Sequence, residues 1–581
     1  MDTKRRIERW HTYPQLEDDV RSALDALLSD EQALEDCFYQ DLVFGTGGMR
    51  GEIGPGPNRM NTYTVRRAAE GLARFIEKRG KEAKARGVVI AFDSRHKSAQ
   101  FAREAARTLG AHGIKTYVFT ELHTTPQLSF AVRYLQAQAG IVITASHNPP
   151  EYNGFKVYGE DGGQFPPALA DELVACVGEI EDELAIAVED IETLHKKGLY
   201  EAIGEVVDDA YHTALQTILL QPEMDQQFGQ DISIVFTPLH GTATAPVTRA
   251  FAESGFKNVT VVSEQALPDP EFSTVTSPNP EESAAFEMAI DYGKRHGADI
   301  LIATDPDADR VGLAVKNETG DYVLLTGNQT GALMLDYLLQ QQQEQGILPE
   351  NGVILKTIVT SEIGRAIATA YGLAAVDTLT GFKFIGEKMG EYERSDEHTY
   401  LFGYEESYGY LIGDFVRDKD AVQACLFAAE MALHYKREGK TLFEALQSVF
   451  ARYGYYKEDL QSLTLKGKEG AEKIAHILTS LRANPSKEID GLEIVRVEDY
   501  ESRIATMLAT EEKAPLSLPQ SNVLKYILAD ESWFCVRPSG TEPKVKFYFG
   551  VVANSEENSF AKLKQLKRAV LAYMQAYIDK K

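Results

Sequence analysis

The sequence has few cysteines and no long apolar run, and both shortages narrow the class of protein. Its four cysteines, Cys37, Cys176, Cys425 and Cys535, form no C-x-x-C pair or other metal-ligand spacing, so disulfides and structural zinc are not expected. No apolar stretch is long enough to cross a bilayer. The basic N-terminal segment MDTKRRIERW is not followed by the apolar region of a secretory signal. We therefore predict a cytoplasmic protein that does not enter a membrane.

Basic residues are also in short supply. Lysine and arginine total 60 against 87 aspartates and glutamates, which gives a formal net charge of −27. Nucleic-acid binding depends on a basic surface that neutralises phosphates, so a nucleic-acid partner is not expected. An anionic ligand would require a local basic site within this acidic chain.

Several phosphate-binding and nucleophile motifs are missing as well. The sequence contains no Walker A motif and no strand-bound G-x-G-x-x-G, which leaves kinase and dehydrogenase functions without their phosphate-binding elements. The neighbours of Ser146 do not supply the G-x-S-x-G elbow of a serine hydrolase.

What the sequence does contain is a recurring order of apolar strand, polar turn and amphipathic helix. The strand candidates are VVIAF at Val88, GIVIT at Gly140, ISIVF at Ile232, DILIAT at Asp299 and GVILKTIV at Gly352. Near-continuous apolar strands separated by helices are typical of α/β sheets that are covered on both faces. We predict three related α/β domains in tandem with mixed sheets, at residues 1–204, 205–320 and 321–452.

The last part of the chain has a different pattern. From Tyr453 the polar insertions are longer, and the strand candidate KVKFYFGVV at Lys544 alternates with period two, as a half-buried strand does. We predict a separate α+β domain at residues 453–581.

Ser146 lies in GIVITASHNPPEYNGFK, where an apolar strand runs into a polar turn. Ser, Asn and Pro are common turn residues, so a plain turn is one interpretation. The other is a nucleophile at the carboxyl end of a strand, where α/β sheets bind ligands. His147 is not an obvious base for it, because neighbours in an extended segment point to opposite sides.

The segment TDPDADR places Asp305, Asp307 and Asp309 at every second position. In an extended loop this spacing turns three carboxylates to one side, which suits a hard divalent cation. An EF-hand is excluded because Arg310 and Lys316 occupy the positions that require Gly and Glu. A magnesium site and a solvated acidic turn both stay open.

Two further segments contain groups suited to a phosphorylated sugar. RPSGTEPK at Arg537 combines a guanidinium, two hydroxyls and a glycine that allows close backbone approach, as in a phosphate cradle, although a hairpin turn has the same composition. GYEESYGY at Gly403 offers two glutamates as acceptors for sugar hydroxyls. Lys383 and Lys419 are candidate cations near an anionic substrate, or solvated surface lysines.

Four ordered motifs together resemble the α-D-phosphohexomutase superfamily, and its phosphoglucomutase branch in particular. These are TASHNP at Thr144, DPDADR at Asp305, GYEESYG at Gly403 and RPSGTEP at Arg537. Supporting fragments are FGTGGMRGEIG at Phe44, PNPE at Pro278 and GFKFIGEK at Gly381. The resemblance covers nearly the whole chain.

The resemblance implies four domains around a central cleft, each of which contributes one loop. It implies that Ser146 carries a phosphoryl group and, with Asp305, Asp307 and Asp309, holds one Mg²⁺. The positions that match the lining of the phosphoryl-transfer site are Arg50, His147, Lys156, Arg310 and Lys419. Those that match the substrate-binding loops are Thr380, Gly381, Glu405 and Ser407 for the sugar, and Arg537, Ser539, Gly540 and Thr541 for the phosphate.

The implied activity interconverts glucose 1-phosphate and glucose 6-phosphate, with glucose 1,6-bisphosphate as intermediate and activator. A phosphomannomutase or phosphopentomutase would use the same residues. A phosphosugar-binding regulatory protein without activity is the hypothesis from another class, and the presence of Ser146 and the three aspartates disfavours it. The partner is then a small phosphosugar, and the protein is expected to be a monomer or a homodimer.

Overall fold

The computed structural model divides the chain into two units, and it describes residues 3–45, 48–464, 467–483, 485–538 and 544–578. The first unit comprises Met1–Thr330 and Phe382–Phe443, and the second comprises Gly331–Gly381 and Glu444–Lys581. Within the described residues, no helix has both the length and the apolar character that crossing a membrane requires.

Helices and strands alternate through most of the chain. The helices are α1 (Thr3–Thr12), α2 (Asp18–Leu27), α3 (Glu31–Phe38), α4 (Thr62–Glu77), α5 (Lys81–Arg86), α6 (Ser98–Ala111), α7 (Thr125–Tyr134), α8 (Pro167–Gly178), α9 (Ile191–Lys196), α10 (Glu205–Leu215), α11 (Pro222–Phe228), α12 (Thr244–Glu253), α13 (Glu287–His296), α14 (Gly327–Glu344), α15 (Ile363–Ala370), α16 (Phe382–Ser395), α17 (Ala421–Arg437), α18 (Leu442–Tyr453), α19 (Gly467–Ala483) and α20 (Glu556–Ile578). The strands are β1 (Phe44–Gly45), β2 (Gly48–Glu52), β3 (Val88–Phe92), β4 (Thr116–Phe119), β5 (Ala139–Ile143), β6 (Tyr152–Gly159), β7 (Tyr200–Ile203), β8 (Ile234–Thr237), β9 (Val259–Val261), β10 (Ile300–Thr304), β11 (Val311–Lys316), β12 (Tyr322–Leu324), β13 (Gly352–Thr357), β14 (Ala374–Thr378), β15 (Thr399–Glu405), β16 (Gly409–Leu411), β17 (Tyr455–Thr464), β18 (Glu488–Ile489), β19 (Leu492–Asp499), β20 (Ile504–Met507), β21 (Lys513–Pro515), β22 (Leu524–Leu528), β23 (Trp533–Pro538) and β24 (Lys544–Ala553).

The first unit contains two mixed sheets. The strand order is β1-β2-β6-β5-β3-β4-β7 in one and β12-β11-β10-β8-β9 in the other. In each sheet a parallel core, β5-β3-β4-β7 or β10-β8-β9, continues into antiparallel strands. Every residue of β3, β5 and β10 is buried, as expected for strands with helices on both faces.

Local sequence explains where the helices near the functional loops begin. The Thr124 hydroxyl accepts a hydrogen bond from the backbone N–H of Gln127, the Gln127 side chain reaches back to the Thr124 backbone, and Pro126 stands in the first turn of α7. This capping box fixes the start of α7 after β4. Asp420 caps α17 in a similar way, by accepting from the N–H groups of Val422 and Gln423.

A hairpin completes the first unit. Strands β15 and β16 pair antiparallel, with Glu405 opposite Gly409. The next helix, α17, is buried along most of its length, which explains its apolar sequence AVQACLFAAEMAL.

The second unit combines an α/β part with an antiparallel sheet. Strands β13 and β14 pair in parallel over five residue positions and are joined by α15. The antiparallel sheet has the order β17-β24-β23-β22-β19-β20-β21. The α/β class, the mixed sheets and the distinct C-terminal domain predicted from the sequence are confirmed.

Strand β24 differs from the prediction of a half-buried strand. Burial alternates only at its start, and Phe547–Val551 are buried without interruption. The reason is its central position, because β24 pairs with β17 on one side and β23 on the other and α20 packs against it.

Two buried carboxyl groups face each other where α11 packs against α17. Asp225 and Glu430 are both fully buried and close enough for Glu430 to act directly on Asp225. Glu430 also accepts the backbone N–H groups of Leu220 and Gln221, at 2.9 and 2.7 Å. Burial, together with the charge and hydrogen bond of Glu430, raises the pKa of Asp225 to about 10, so Asp225 is protonated at neutral pH and donates to Glu430.

We expect this pair to make stability fall as pH rises. Between the ordinary carboxyl pKa and about 10, only the folded state keeps the Asp225 proton, so one proton contributes a slope of up to about −1.4 kcal/mol per pH unit. Asp225→Asn keeps a donor to Glu430 without a titrating proton. In urea unfolding at pH 6 and pH 9, this variant should lose less stability than the wild type.

His434, one turn beyond Glu430, contacts the side chain of Gln221 at 3.0 Å and is the other titratable group at this place. It is present in both proteins, so its contribution cancels in the comparison. The exposed Asp171→Asn on α8 is the matched control and should keep the wild-type pH dependence. Equal pH dependence of Asp225→Asn and the wild type would contradict the shared-proton pair.

Candidate functional site

Ser146 is held in the loop that follows β5. Its backbone is left-handed, with φ of 52°, and its N–H donates to the Thr144 hydroxyl at 2.8 Å. The side chain is buried, and Oγ donates to Asp305 Oδ2 at 2.6 Å. The serine hydroxyl therefore points at the acidic loop after β10 and not at solvent.

His147 lies on the same side as Ser146, and the sequence-based expectation that it points away is wrong. Its Nδ1 is 3.1 Å from Ser146 Oγ. The expectation assumed an extended chain, whereas the positive φ of Ser146 turns the loop. Burial, and then the charges of Arg310 and Arg50, lower the pKa of His147 well below its ordinary value, so the imidazole is neutral.

Asp305, Asp307 and Asp309 form a buried carboxylate cluster. They are 0, 0 and 3% exposed, and one carboxylate oxygen from each lies within 4.8 Å of the others. The loop is a turn with Ala308 at φ 55°. Asp305 Oδ1 accepts the backbone N–H groups of Asp309 and Arg310 at 3.0 and 2.9 Å, which fixes the turn.

The surroundings shift the pKa values of Asp305 and Asp307 in opposite directions. Burial and the charges of Asp307 and Asp309 raise the pKa of Asp305 well above its ordinary value. Burial acts in the same direction on Asp307, but the Lys156 ammonium and hydrogen bonds from Asp305 and Thr125 outweigh it and lower the pKa of Asp307. Three acidic groups at this distance repel each other without a cation.

The cluster fits a divalent cation. Asp307 Oδ1 and Asp309 Oδ1 are buried and accept no hydrogen bond from the residues that the structure describes, although buried carboxylate oxygens are normally paired. Hard divalent cations take such oxygens as ligands. Ser146 is the fourth metal ligand that the resemblance implies. Its Oγ is hydrogen-bonded to Asp305 of this cluster.

Three basic side chains surround the carboxylates. Lys156, on β6, is 2.7 Å from Asp307 and 3.5 Å from Asp309. Lys419 Nζ is 3.2 Å from Asp309, and Arg310 Nε is 3.7 Å from the same residue. Although burial opposes it, nearby carboxylates raise the pKa of both lysines, so both are charged. This is the local basic site that an anionic ligand requires in an acidic protein.

Arg50, Glu405 and Ser407 complete the predicted positions in the first unit. Arg50, on β2 opposite Gly154 of β6, donates to the Asn148 side chain at 2.9 Å. Glu405 ends β15, is buried, and is close enough to Arg310 and Lys419 to raise the pKa of both. Ser407 lies in the turn between β15 and β16.

The remaining predicted residues belong to the second unit. Thr380 has a buried hydroxyl with no hydrogen-bond partner in the described part of the chain, and Gly381 has φ of 118°, a conformation that favours glycine. Arg537 lies on β23 opposite Lys546. Ser539, Gly540 and Thr541 lie outside the described residues.

Sequence reasoning missed several residues that support the acidic loop. Thr125 donates from its hydroxyl to Asp307 Oδ2 and from its backbone N–H to the Asp307 carbonyl, both at 2.9 Å. Thr242 donates to the Pro306 carbonyl from its N–H and its hydroxyl, at 2.8 and 2.9 Å. Thr125 follows β4 and Thr242 follows β8, both strands of a parallel core. Their position after such a strand could have marked them as candidate site residues.

Asp418 was missed for a different reason. It is buried, accepts from Tyr158 at 2.8 Å, and lies 3.3 Å from Lys419 Nζ. The sequence RDKD drew attention to the lysine alone, because nothing in the spacing distinguishes the neighbouring acid.

Four family models match the chain in order. They are the phosphoglucomutase/phosphomannomutase α/β/α domains I, II and III at residues 41–183, 209–320 and 326–453, and the C-terminal domain of the same family at residues 487–562.

Two solved structures share the fold of this chain. A phosphoglucomutase structure from Paramecium, pp63/parafusin, has a TM-score of 0.68 at 17% identity and covers 92% of this chain and 96% of its own. A family member from Burkholderia thailandensis has a TM-score of 0.64 at 18% identity, covering 92% and 97%. At these identities they show the fold alone.

Relatives found by sequence have higher identity to this chain than these structures do. A phosphoglucomutase of Staphylococcus haemolyticus is 38% identical over 526 residues, which is 90% of this chain and 93% of the relative. One of Staphylococcus aureus is 39% identical over 515 residues, covering 88% and 90%. With all four domains matched and these identities over nearly its full length, the chain belongs to the phosphoglucomutase/phosphomannomutase family.

Proposed function

We propose that the protein is a phosphoglucomutase, which interconverts glucose 1-phosphate and glucose 6-phosphate through a phosphoserine at Ser146. In the first step, the 6-hydroxyl of glucose 1-phosphate attacks phosphorus, the bond from phosphorus to Ser146 Oγ breaks, and the hydroxyl proton leaves to a base. The product is glucose 1,6-bisphosphate. In the second step, deprotonated Ser146 Oγ attacks the phosphorus of the 1-phosphate, the bond from that phosphorus to the sugar O1 breaks, O1 takes up a proton, and glucose 6-phosphate leaves.

The observation that carries the proposal is the hydrogen bond of 2.6 Å from Ser146 Oγ to Asp305. It places a buried hydroxyl on a carboxylate cluster that is itself surrounded by Lys156, Lys419 and Arg310. Phosphoryl transfer depends mainly on positioning and on stabilising charge at the moving group's oxygens. A solvated acidic turn would not bury its carboxylates.

The proposed metal is one Mg²⁺, held by Asp305, Asp307, Asp309 and an oxygen of the phosphorylated Ser146. When bound, Mg²⁺ would neutralise charge on the phosphoryl oxygens. Lys156, Lys419 and Arg310 supply further positive charge to those oxygens, and Arg50 and the neutral His147 line the same site.

The substrate-binding assignments form part of the same proposal. Glu405 accepts hydrogen bonds from sugar hydroxyls and Ser407 can donate or accept them, with Thr380 and Gly381 as a second sugar contact. Arg537, Ser539, Gly540 and Thr541 hold the phosphate that does not react. We also propose a cytoplasmic protein, monomeric or homodimeric, that is activated by glucose 1,6-bisphosphate.

The test compares three substrates. Purified protein receives glucose 1-phosphate, mannose 1-phosphate or ribose 1-phosphate, with Mg²⁺ and a trace of the matching bisphosphate, and formation of the isomer is measured. We expect the highest kcat/KM with glucose 1-phosphate. A preference for mannose or ribose 1-phosphate would assign a phosphomannomutase or phosphopentomutase, and no turnover of any substrate would contradict the mutase function.

A further inference from the structure

Arg95 is a fully buried arginine that the proposed mechanism does not use. It follows β3, whose parallel neighbour is β5, the strand that ends before Ser146. The side chains of Arg95 and Asp93 are both 0% exposed, and Arg95 Nε lies 3.4 Å from Asp93 Oδ2. A buried guanidinium is costly unless its donors are used, so its partners show what it does.

All four partners of its terminal nitrogens are backbone carbonyls of the Ser146 loop. Nη1 donates to Pro149 at 2.7 Å and to Tyr152 at 3.0 Å. Nη2 donates to Ser146 and to Asn148, both at 2.5 Å. One side chain therefore hydrogen-bonds both ends of the loop and its middle.

The loop needs these donors. Its residues between Thr144 and Pro150 belong to neither a helix nor a sheet ladder, so their carbonyls lack the ladder partners of regular structure. The Pro149 carbonyl has one further donor, the Tyr152 N–H at 3.1 Å. Ser146 also adopts a left-handed φ of 52°, which a serine holds only where its surroundings impose it.

The guanidinium is itself held from two sides. Asp93 accepts from the Ser98 hydroxyl at 2.7 Å and from the Arg95 backbone N–H at 3.0 Å. On the other side, the Phe272 ring lies 4.9 Å from the guanidinium carbon, at a distance typical of a cation–π contact. These contacts hold the Arg95 guanidinium in place without a bound ligand.

We propose that Arg95 is a positioning residue for phosphoryl transfer, which holds the Ser146 loop in the one backbone conformation that directs Oγ at the carboxylate cluster. The inference rests on the proposed function for its kinetic part only. A displacement of about 1 Å at a reacting group is enough to lower a rate on the order of 10²-fold.

Arg95→Lys tests the proposal, because lysine keeps the charge but presents its donors from a single nitrogen and cannot reach four fanned carbonyls. We expect kcat to fall on the order of 10²-fold with little change in KM for glucose 1-phosphate. We also expect faster hydrogen–deuterium exchange in the peptide 144–152. Unchanged kcat in an active enzyme, or unchanged exchange, would overturn the proposal.

Arg79→Lys is the matched control. Arg79, in the turn after α4, makes the same kinds of contact outside the site: two bonds of 2.9 Å to Glu172, one of 2.9 Å to the Phe75 carbonyl, and a ring 3.5 Å away. We expect it to leave kcat and the exchange of 144–152 unchanged. A loss equal to that of Arg95→Lys would show a general stability effect and overturn the positioning role.

Phe272→Leu carries the test if Arg95→Lys does not fold. It removes the ring beside the guanidinium and leaves every hydrogen bond in place, so a smaller change of the same kind is expected, and none would contradict the proposal. Exchange needs no substrate. An inactive wild type with faster loop exchange in Arg95→Lys contradicts the proposed function alone, and an active wild type with an unaffected variant contradicts the positioning role alone.

Discussion

Ser146→Ala is expected to abolish isomerisation of glucose 1-phosphate, with kcat reduced by more than about 10⁴-fold. The hydroxyl at 2.6 Å from Asp305 is the proposed phosphoryl carrier, and the methyl group of alanine has no oxygen to accept the phosphoryl group. Intact mass after incubation with glucose 1,6-bisphosphate gives a second readout. The wild type should gain one phosphoryl group, and the variant should gain none.

The control for this variant is Ser263→Ala. Ser263 contacts Glu264 and Tyr292 and has no contact with the carboxylate cluster, so its variant should keep full activity. Full activity of Ser146→Ala, or phosphorylation of that variant to the wild-type extent, would contradict the phosphoserine role.

Asp307→Asn is expected to have the second-largest effect, a loss of kcat on the order of 10²- to 10³-fold together with weaker metal binding. The amide keeps the shape of the side chain but removes the charge that pairs with Lys156 at 2.7 Å. It also removes one of the two buried oxygens without a partner. Calorimetric titration with Mn²⁺ measures the affinity of the metal site without turnover. EDTA should abolish turnover by the wild type.

The exposed Asp321→Asn, in the turn before β12, is the matched control and should bind Mn²⁺ as the wild type does. If Asp307→Asn binds Mn²⁺ with wild-type affinity, or if EDTA leaves wild-type turnover unchanged, the metal assignment is wrong.

The fold class followed from the sequence because the strands β3, β5 and β10 are buried on both faces and read as unbroken apolar runs. The different sequence pattern after Tyr453 was the reason to predict a separate C-terminal α+β domain. Burial of β24 was misjudged, since a strand's neighbours in a sheet are set by topology, and period-two spacing at its start says nothing about what covers its second half.

The site was foreseen in part. Asp305, Asp307 and Asp309 do converge, but through a turn with Ala308 at positive φ and not through an extended loop. For the same reason, His147 lies beside Ser146 against expectation. Left-handed backbone at a serine or an alanine has no sequence signature, unlike glycine.

Residues that contact a loop from elsewhere in the chain could not be predicted from the sequence. Thr125 and Asp307 are far apart in sequence, and their contact exists only because α7 and the acidic loop meet in space. Arg95 contacts carbonyls, and backbone atoms are the same for every residue type, so no side-chain pattern in TASHNPP points to it.

The four hydrogen bonds from Arg95 to the loop carbonyls have a consequence for protein design. A designer who grafts TASHNPPEY onto the end of a strand in another α/β scaffold would copy every side chain of the loop and still leave out the arginine that donates to four of its carbonyls. The transferable unit is a pair of adjacent parallel strands: one supplies the serine, and the other supplies the arginine that shapes it. A transplant limited to the contiguous sequence would carry the serine without the arginine that hydrogen-bonds its loop.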